Sequence, residues 1–387
     1  MNFEYHAPPA IIFGKESRLK ITDQIKSLRL KNPLVVSDDY LYKSGVVGNF
    51  TELLTRDGFE FSLFTEIKSE PVMADVSNAL DIYNENNCDG VICIGGGSAI
   101  DTAKAVAVMA VNPGSIADYM GYQKVKNHRV PLIVIPTTAG TGSESTRITI
   151  ITNTDTDVKM MCLDNAFMPD ISIIDYELTL SMPKSLTAYA GMDALTHALE
   201  AYVSVKANLV SDLFAMKAIT LISNNILAAY NDPDDEIARE NMLIGSNLAG
   251  TAFSNSSVCA VHGMSRPIGA NFHVPHGLSN SMLLPVVTER SIPDNVKRYA
   301  EAAVGMGFDP GLDDEILASN LMEKIRFFNS SFEIPNLSKY GVDKTKFEEA
   351  VPSMIEAAIA SGSMANNPTQ FSPEEMSDIY LTAYTYE

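Results

Sequence analysis

Through the first half of this chain, short apolar runs alternate with helix-length stretches, and near residue 180 the alternation stops. NPLVVSDD, DGVICIGGGS, VPLIVIPTTAGTGS and ISIIDYE each centre on a short apolar run that ends in polar turn residues. Such runs, spaced by helix-length segments, predict a parallel sheet with crossover helices. The N-terminal FEYHAPPAIIFG predicts one more strand or a hairpin. From residue 181 the pattern is that of long helices, in SMPKSLTAYAGMDALTHALEAYVS, ANLVSDLFAMKAITLISNNILAAY and DEIARENMLIGSNLAGTAFS, and again in NSMLLPVVTER, NVKRYAEAAVGMG, EILASNLMEKIRFFNSS, KTKFEEAVPSMIEAAIAS and PEEMSDIYLTAYTY. The expected fold is therefore an α/β domain over 1–180 followed by an all-helical domain over 181–387.

Composition narrows the partners. At 387 residues and 46% hydrophobic content the chain can build two cores. A formal charge of −20 with no basic stripe argues against nucleic acid, whose phosphates need clustered Lys and Arg. No uninterrupted apolar run reaches the roughly 18 residues of a bilayer span, so no membrane segment is expected. The N-terminus has neither a basic start nor a continuous apolar stretch, so no signal peptide is expected. Cys88, Cys93, Cys162 and Cys259 show no CxxC spacing and read as reduced packing residues of a cytoplasmic protein.

Three features point to a nucleotide. In DGVICIGGGSAIDTAKAVAV a strand meets a helix through Gly95, Gly96 and Gly97, which are expected to admit a ligand closely and to adopt positive φ. Ser98 is expected to cap the helix that carries Asp101 and Lys104. The free N–H groups at such a helix start suit a pyrophosphate, although a tight turn without a ligand needs the same residues. PTTAGTGSES is a second polar glycine loop after a strand, with Thr137, Thr138, Thr141 and Ser143 offering hydroxyls. Asp38, ending LVVSDD, is placed either to accept from a ribose hydroxyl or to serve as a turn residue.

A different chemistry is written in the second half. Asp193 and His197 in GMDALTHALEAY are one helical turn apart on one face. His262 lies in VCAVHGMSRP and His276 in FHVPHGLSNSMLLP. One carboxylate and three imidazoles can hold one divalent ion. Imidazole suits Zn, Cu, Fe or Ni, and a single carboxylate oxygen suits Zn or Fe(II). A helical Asp–His pair also forms plain surface ion pairs, but only 6 His exist and 4 of them fall between residues 197 and 276. Three of those four sit in apolar or Gly/Pro-rich surroundings, where an unpaired imidazole is costly to bury.

In order and spacing, GGGSAIDTAK, IPTTAGTGSE, GMDALTHALEAYVS, VHGM–RP–GA and VPHGLSNSMLLP resemble the recurrent motifs of the iron-containing, or group III, alcohol dehydrogenases, and the resemblance runs the length of the chain. It implies a Rossmann-like dinucleotide-binding domain, a helical metal-binding and catalytic domain, NAD, and Fe2+ with Zn2+ as the alternative. It implies metal ligation by Asp193, His197, His262 and His276. The pyrophosphate loop falls on Gly95, Gly96, Gly97 and Ser98, with Asp101 following, and the second loop on Thr137, Thr138 and nearby residues. The ribose acid falls on Asp38. A homodimer or larger homo-oligomer acting on a small alcohol or aldehyde is expected. Two relatives of the same architecture stay open. A zinc glycerol or diol dehydrogenase usually has one Asp and two His. A dehydroquinate synthase-like lyase needs a strongly basic pocket, and few Lys or Arg lie near these motifs.

The chain departs from the pattern in HGMSRP, where Arg266 stands in place of a His expected to face the reacting centre, and in NNPTQ in place of an NPR-like motif. Arg266 turns a neutral pocket cationic, which suits a short aldehyde with an anionic tail such as sulfoacetaldehyde; pairing with an acidic neighbour is the alternative. Arg147 is a second candidate for that wall. His273 is expected either to relay a proton or to cap a helix or loop.

Overall fold

The computed structural model describes residues 2–67, 70–156 and 158–386. The chain forms two compact units, one of His6–Ser181 and one running from Met182 onward that also includes the N-terminal residues up to Tyr5. Tyr5 belongs to the latter because its ring stacks on Phe214 at 5.8 Å.

The first unit holds strands β1 (Ala10–Phe13), β2 (Leu34–Asp38), β3 (Ser62–Ile67), β4 (Val91–Gly95), β5 (Gly121–Tyr122), β6 (Leu132–Pro136), β7 (Ile148–Asn153), β8 (Val158–Leu163) and β9 (Ile171–Ile174). Its helices are α1 (Ile21–Ser27), α2 (Asp39–Lys43), α3 (Val46–Arg56), α4 (Met73–Glu85) and α5 (Gly97–Met109). Six strands make one sheet in the order β1-β9-β6-β4-β2-β3, parallel throughout. Strand alternation divides its side chains between two cores. Leu34, Val36, Val91, Cys93, Leu132 and Val134 pack with α4 and α5; Val35, Ile92, Ile94, Ile133 and Ile135 pack with α1 and α3. Burial on both faces explains why these strands read as continuous apolar runs. The N-terminal segment supplies a single edge strand and no hairpin, because β1 pairs parallel to β9. The sequence pattern did not reveal the small sheet β5-β8-β7. In it, β7 and β8 are antiparallel neighbours whose inward and outward residues alternate.

The second unit contains helices α6 (Lys184–Val203), α7 (Leu209–Asn231), α8 (Glu236–Asn255), α9 (Ala260–Phe272), α10 (His276–Ser291), α11 (Val296–Gly305), α12 (Asp314–Ser331), α13 (Leu337–Tyr340), α14 (Lys344–Ala360) and α15 (Pro373–Thr385). No strand occurs there among the described residues. Some starts are capped by side chains: Asn208 accepts from the amides of Val210 and Ser211, and Ser372 with Glu375 forms a capping box ahead of Pro373. By length and composition α7 could cross a membrane, but it packs on α6, α8 and α11 as a core helix.

A candidate metal centre and a candidate nucleotide loop

Two turns of α6 and the starts of α9 and α10 build the metal site. Gly277 explains how α10 comes close enough: a Cβ there would stand 2.4 Å from the Tyr189 carbonyl oxygen of α6. With that approach allowed, one potential ligand atom from each of Asp193, His197, His262 and His276 falls within 4.8 Å of the others. Asp193 Oδ1 lies 3.5 Å from His262 Nε2 and 3.7 Å from His276 Nε2. Asp193, His197 and His262 are buried, while the His276 side chain keeps 35% of its surface, so the group is open on that side. Burial alone would raise the Asp193 carboxyl, but the imidazoles of His197, His276 and His262 outweigh it and hold the carboxyl well below its usual range.

Two residues at this centre were not singled out from sequence. Glu200 is buried two turns beyond Asp193 on α6. Its Oε2 accepts from His262 Nδ1 at 2.6 Å, which leaves Nε2 to face Asp193. Its Oε1 accepts from the amides of Val261 at 2.6 Å and His262 at 3.4 Å, and so places a negative charge at the start of α9. The signal was present in the sequence, as an acid inside the apolar stretch of ALEAYV. Burial would lower the His262 pKa, but the charges and hydrogen bonds of Glu200 and Asp193 raise it overall.

Asn280, one turn after His276, is fully buried. Its Nδ2 donates to Asp193 Oδ1 at 2.6 Å and faces His262 Nε2 at 3.1 Å and His276 Nε2 at 3.2 Å. An amide nitrogen has two protons for these three acceptors, and the Asn280 Oδ1 is buried without a partner among the described residues. Converging lone pairs short of protons are what a cation satisfies, and one carboxylate with three imidazoles suits a divalent transition ion.

The other candidates resolve differently. Arg266 lies on α9 one turn after His262. Among the described residues its one hydrogen bond, to Ser363 Oγ, is long at 3.4 Å, and its buried Nε has no partner. Burial lowers its pKa, opposed by the charges of Glu200 and Asp193. No carboxylate pairs with it among the described residues, contrary to the ion-pair alternative. Arg147 NH1 donates to Asn165 at 3.2 Å. His273 is exposed and ends α9 at φ 54, its amide donating to the Gly269 carbonyl; it is a helix cap in the left-handed conformation.

In the first unit the three nucleotide signals converge. The chain runs outward from β2 to β3 and returns to β4, so the strand order reverses between β2 and β4. Ligands of open α/β sheets bind at the carboxyl ends of such neighbours. Asp38 ends β2 and Gly95 ends β4. A Cβ on Gly95 would stand 3.7 Å from Asp38 Oδ2. Asp38 Oδ1 accepts from the Leu41 amide at 2.8 Å and caps α2; burial pushes this carboxyl up, opposed by the Leu41 and Tyr40 amides.

Two expectations for the glycine turn are corrected. None of Gly95, Gly96 and Gly97 has positive φ; Gly142 in the second loop does, at 60°. The turn needs glycine for proximity, since a Cβ on Gly97 would meet Thr141 Cγ2 at 2.7 Å and one on Gly96 would meet Thr138 at 3.3 Å. Ser98 is not the cap: α5 starts at Gly97 with Gly96 in the capping position. Asp101 and Ser143 bond to each other at 2.7 Å, and Asp101 also accepts from the Ile150 amide at 3.0 Å. These two residues tie the loops together. Thr137 is buried, and its amide donates to the Gly95 carbonyl at 3.0 Å.

The residues 8–176 match the family model for iron-containing alcohol dehydrogenase, and 187–384 match that for the C-terminal part of the Fe-containing alcohol dehydrogenase family. The chain belongs to the iron-containing alcohol dehydrogenase family. It is 36% identical to alcohol dehydrogenase 4 of Saccharomyces cerevisiae over 99% of this chain and 98% of that one. A solved 1,3-propanediol oxidoreductase superposes with a TM-score of 0.95 at 34% identity, covering 99% of this chain and 100% of the other. Sulfoacetaldehyde reductase from Bifidobacterium kashiwanohense, solved in complex with NAD+, superposes at 0.90 with 28% identity, each chain covered completely. As a member of this family, the protein is an oxidoreductase acting on an alcohol or aldehyde.

Proposed function

We propose that this iron-containing alcohol dehydrogenase interconverts a short alcohol and its aldehyde with NAD(H), using one divalent ion held by Asp193, His197, His262 and His276. Residues 1–180 are assigned to the dinucleotide and 181–387 to the ion and the chemistry. The observation that carries the reading is the convergence of those four side chains within 4.8 Å. Fe2+ is the ion of the family's name, and Zn2+ fits the same donors. When bound, the ion supplies Lewis acidity toward the substrate oxygen. The chain does the rest. Glu200 holds a proton on His262 Nδ1 and so aims Nε2 at the ion, Asn280 restrains Asp193 and His276, and the α5 start with the loop from Thr137 to Ser143 receives the pyrophosphate.

NAD(H) is favoured over its 2′-phosphorylated form because Asp38 would repel a second phosphate. The substrate carries an anionic tail. Asp193 and Glu200 balance a divalent ion, and Arg266 is then the charge left over; a planar guanidinium matches a carboxylate, sulfonate or phosphonate. The NAD+ complex of a sulfoacetaldehyde reductase among the similar structures supports both points. Four free, buried cysteines support a reducing, cytoplasmic setting. Exposed Val205 ahead of α7, and Leu209 and Leu213 at its start, support a homo-oligomer. The test is to strip the ion with a chelator and reload with Fe2+ or Zn2+, following NADH and NADPH oxidation with sulfoacetaldehyde. Turnover that survives complete stripping, or that prefers NADPH, overturns the corresponding half.

A further inference from the structure

Lys104, two turns along α5 from Gly97, is completely buried. Its Nζ lies 2.6 Å from the Ser143 carbonyl, 3.0 Å from Ser143 Oγ, 2.9 Å from both the Thr146 carbonyl and its Oγ1, and 2.8 Å from the Ile148 carbonyl. Three protons serve five oxygens, so the surroundings are those of a spherical cation in an oxygen cage. All five oxygens come from residues 143–148, and three are backbone carbonyls turned inward. Such a convergence is repulsive without positive charge at its centre. No carboxylate is within ion-pair distance of Nζ among the described residues. Asp101 is reached through the Ser143 hydroxyl, which donates to it at 2.7 Å. Burial draws the Lys104 pKa down to about 8, opposed by the charges of Asp101 and Glu144, so it is an ammonium at neutral pH.

The caged segment is continuous with the loop that packs on the α5 start. The Ser143 amide donates to Thr141 Oγ1 at 3.3 Å, and Thr141 and Thr138 are the residues against Gly97 and Gly96. One helix thus carries an anion-binding N-terminus and, two turns on, the charge that shapes the neighbouring loop.

We propose that Lys104 is a built-in cation: it folds residues 143–148 around its ammonium, and so sets the position of the Thr137–Ser143 loop and the affinity for the dinucleotide. The proposal rests on assigning that loop to the dinucleotide. Lys104 does not touch the reacting atoms; it is a positioning residue. Its cage is built for a monovalent ion of ammonium or potassium size, and removing the tether leaves a site that such an ion can fill.

The test is Lys104→Met, which removes the ammonium and keeps most of the side-chain volume, in the metal-loaded enzyme. Steady-state kinetics and amide hydrogen exchange of residues 137–148 are measured in sodium, potassium and ammonium chloride. In sodium the KM for NADH rises roughly tenfold or more, as expected for lost charge-assisted hydrogen bonds. Meanwhile kcat changes little, and the loop amides exchange faster. Potassium or ammonium restores both KM and protection. Unchanged loop exchange overturns the cage, and a KM defect that potassium and ammonium rescue no better than sodium overturns the built-in cation. Faster loop exchange with an unchanged KM overturns the link to the dinucleotide. The assignment of the loop to the dinucleotide is read separately, in the wild type: if NADH does not protect the amides of residues 97–99 and 137–143, that assignment fails whatever Lys104 does. Should Lys104→Met not fold in any salt, Thr146→Val removes one cage oxygen and leaves the charge. A KM for NADH raised severalfold with kcat retained supports the proposal, and an unchanged KM overturns it.

Discussion

Around Lys104 five oxygens converge on a cation that the chain carries itself. Around Asp193 one carboxylate and three imidazoles converge where the chain supplies only the amide of Asn280. The first centre is closed and complete, and its role is to hold a loop. The second is closed on the Glu200 side and open at His276, where the side chain keeps 35% of its surface. An exchangeable ion gives a centre Lewis acidity that a tethered ammonium lacks, and it makes the centre dependent on supply. The same physical need, to neutralise converging lone pairs out of water, is met permanently where only shape is required and reversibly where chemistry is required.

The sharpest way to break this contrast is to delete a ligand. His262→Ala or His276→Ala should lose the bound ion and bring turnover to background, read by elemental analysis alongside NADH oxidation. Full metal occupancy in either variant would remove that residue from the ligand set. Next in size is Arg266→His. For an anionic aldehyde kcat/KM should fall roughly 10- to 150-fold, the worth of a charge-assisted contact, while propanal is little affected. A wild-type preference for propanal and butanal over sulfoacetaldehyde and succinic semialdehyde, left unchanged by Arg266→His, sinks the anionic-tail reading.

Glu200→Gln separates holding the ion from merely gathering its ligands. Removing the charge behind His262 should weaken metal affinity about 10- to 100-fold, measured by competition with a chelator, with the apo fold intact. Equal affinity in the two proteins would mean that Glu200 serves only the start of α9.

The smallest effect belongs to pH and to the tethered cation. The folded Lys104 pKa of about 8 lies below that of an exposed lysine, which is roughly 10.4. Its charge is therefore present below pH 8 and lost above it, and the KM for NADH should rise severalfold between pH 7.5 and about 9.5. The titratable groups facing it are Asp101, Glu144, Arg129 and the Cys93 thiol, which burial lifts well above its usual value. The sign also separates this from unfolding. Between the two pKa values the unfolded chain binds the proton more tightly, so this group's contribution to stability increases with pH. Falling NADH affinity with an undiminished melting temperature supports the assignment. A flat KM across the window, or the same rise in Lys104→Met, counts against it.

Local pattern alone determined a good deal. Apolar runs buried on both faces marked β2, β4, β6 and β9, and helical periodicity marked α6 to α8, α10 to α12, α14 and α15. The i, i+4 spacing already put Asp193 and His197 on one turn. What only the tertiary structure decided were relations between residues far apart in the chain. Glu200 reads as one more helical acid until α9 brings His262 Nδ1 to 2.6 Å. Asn280 is an unremarked helical amide until Gly277 lets α10 reach α6. Ser98 lost the cap to Gly96, and the glycine turn proved to need absent side chains where positive φ was expected, because Thr138 and Thr141 of the second loop press against it. His273 and Arg266 looked alike from sequence, as polar groups near a ligand. A left-handed cap turned one out to solvent, and the α9 helix turned the other inward without a carboxylate partner among the described residues. Spacing along a chain fixes which side chains share a turn, but burial and pairing depend on what the rest of the fold brings to the other side.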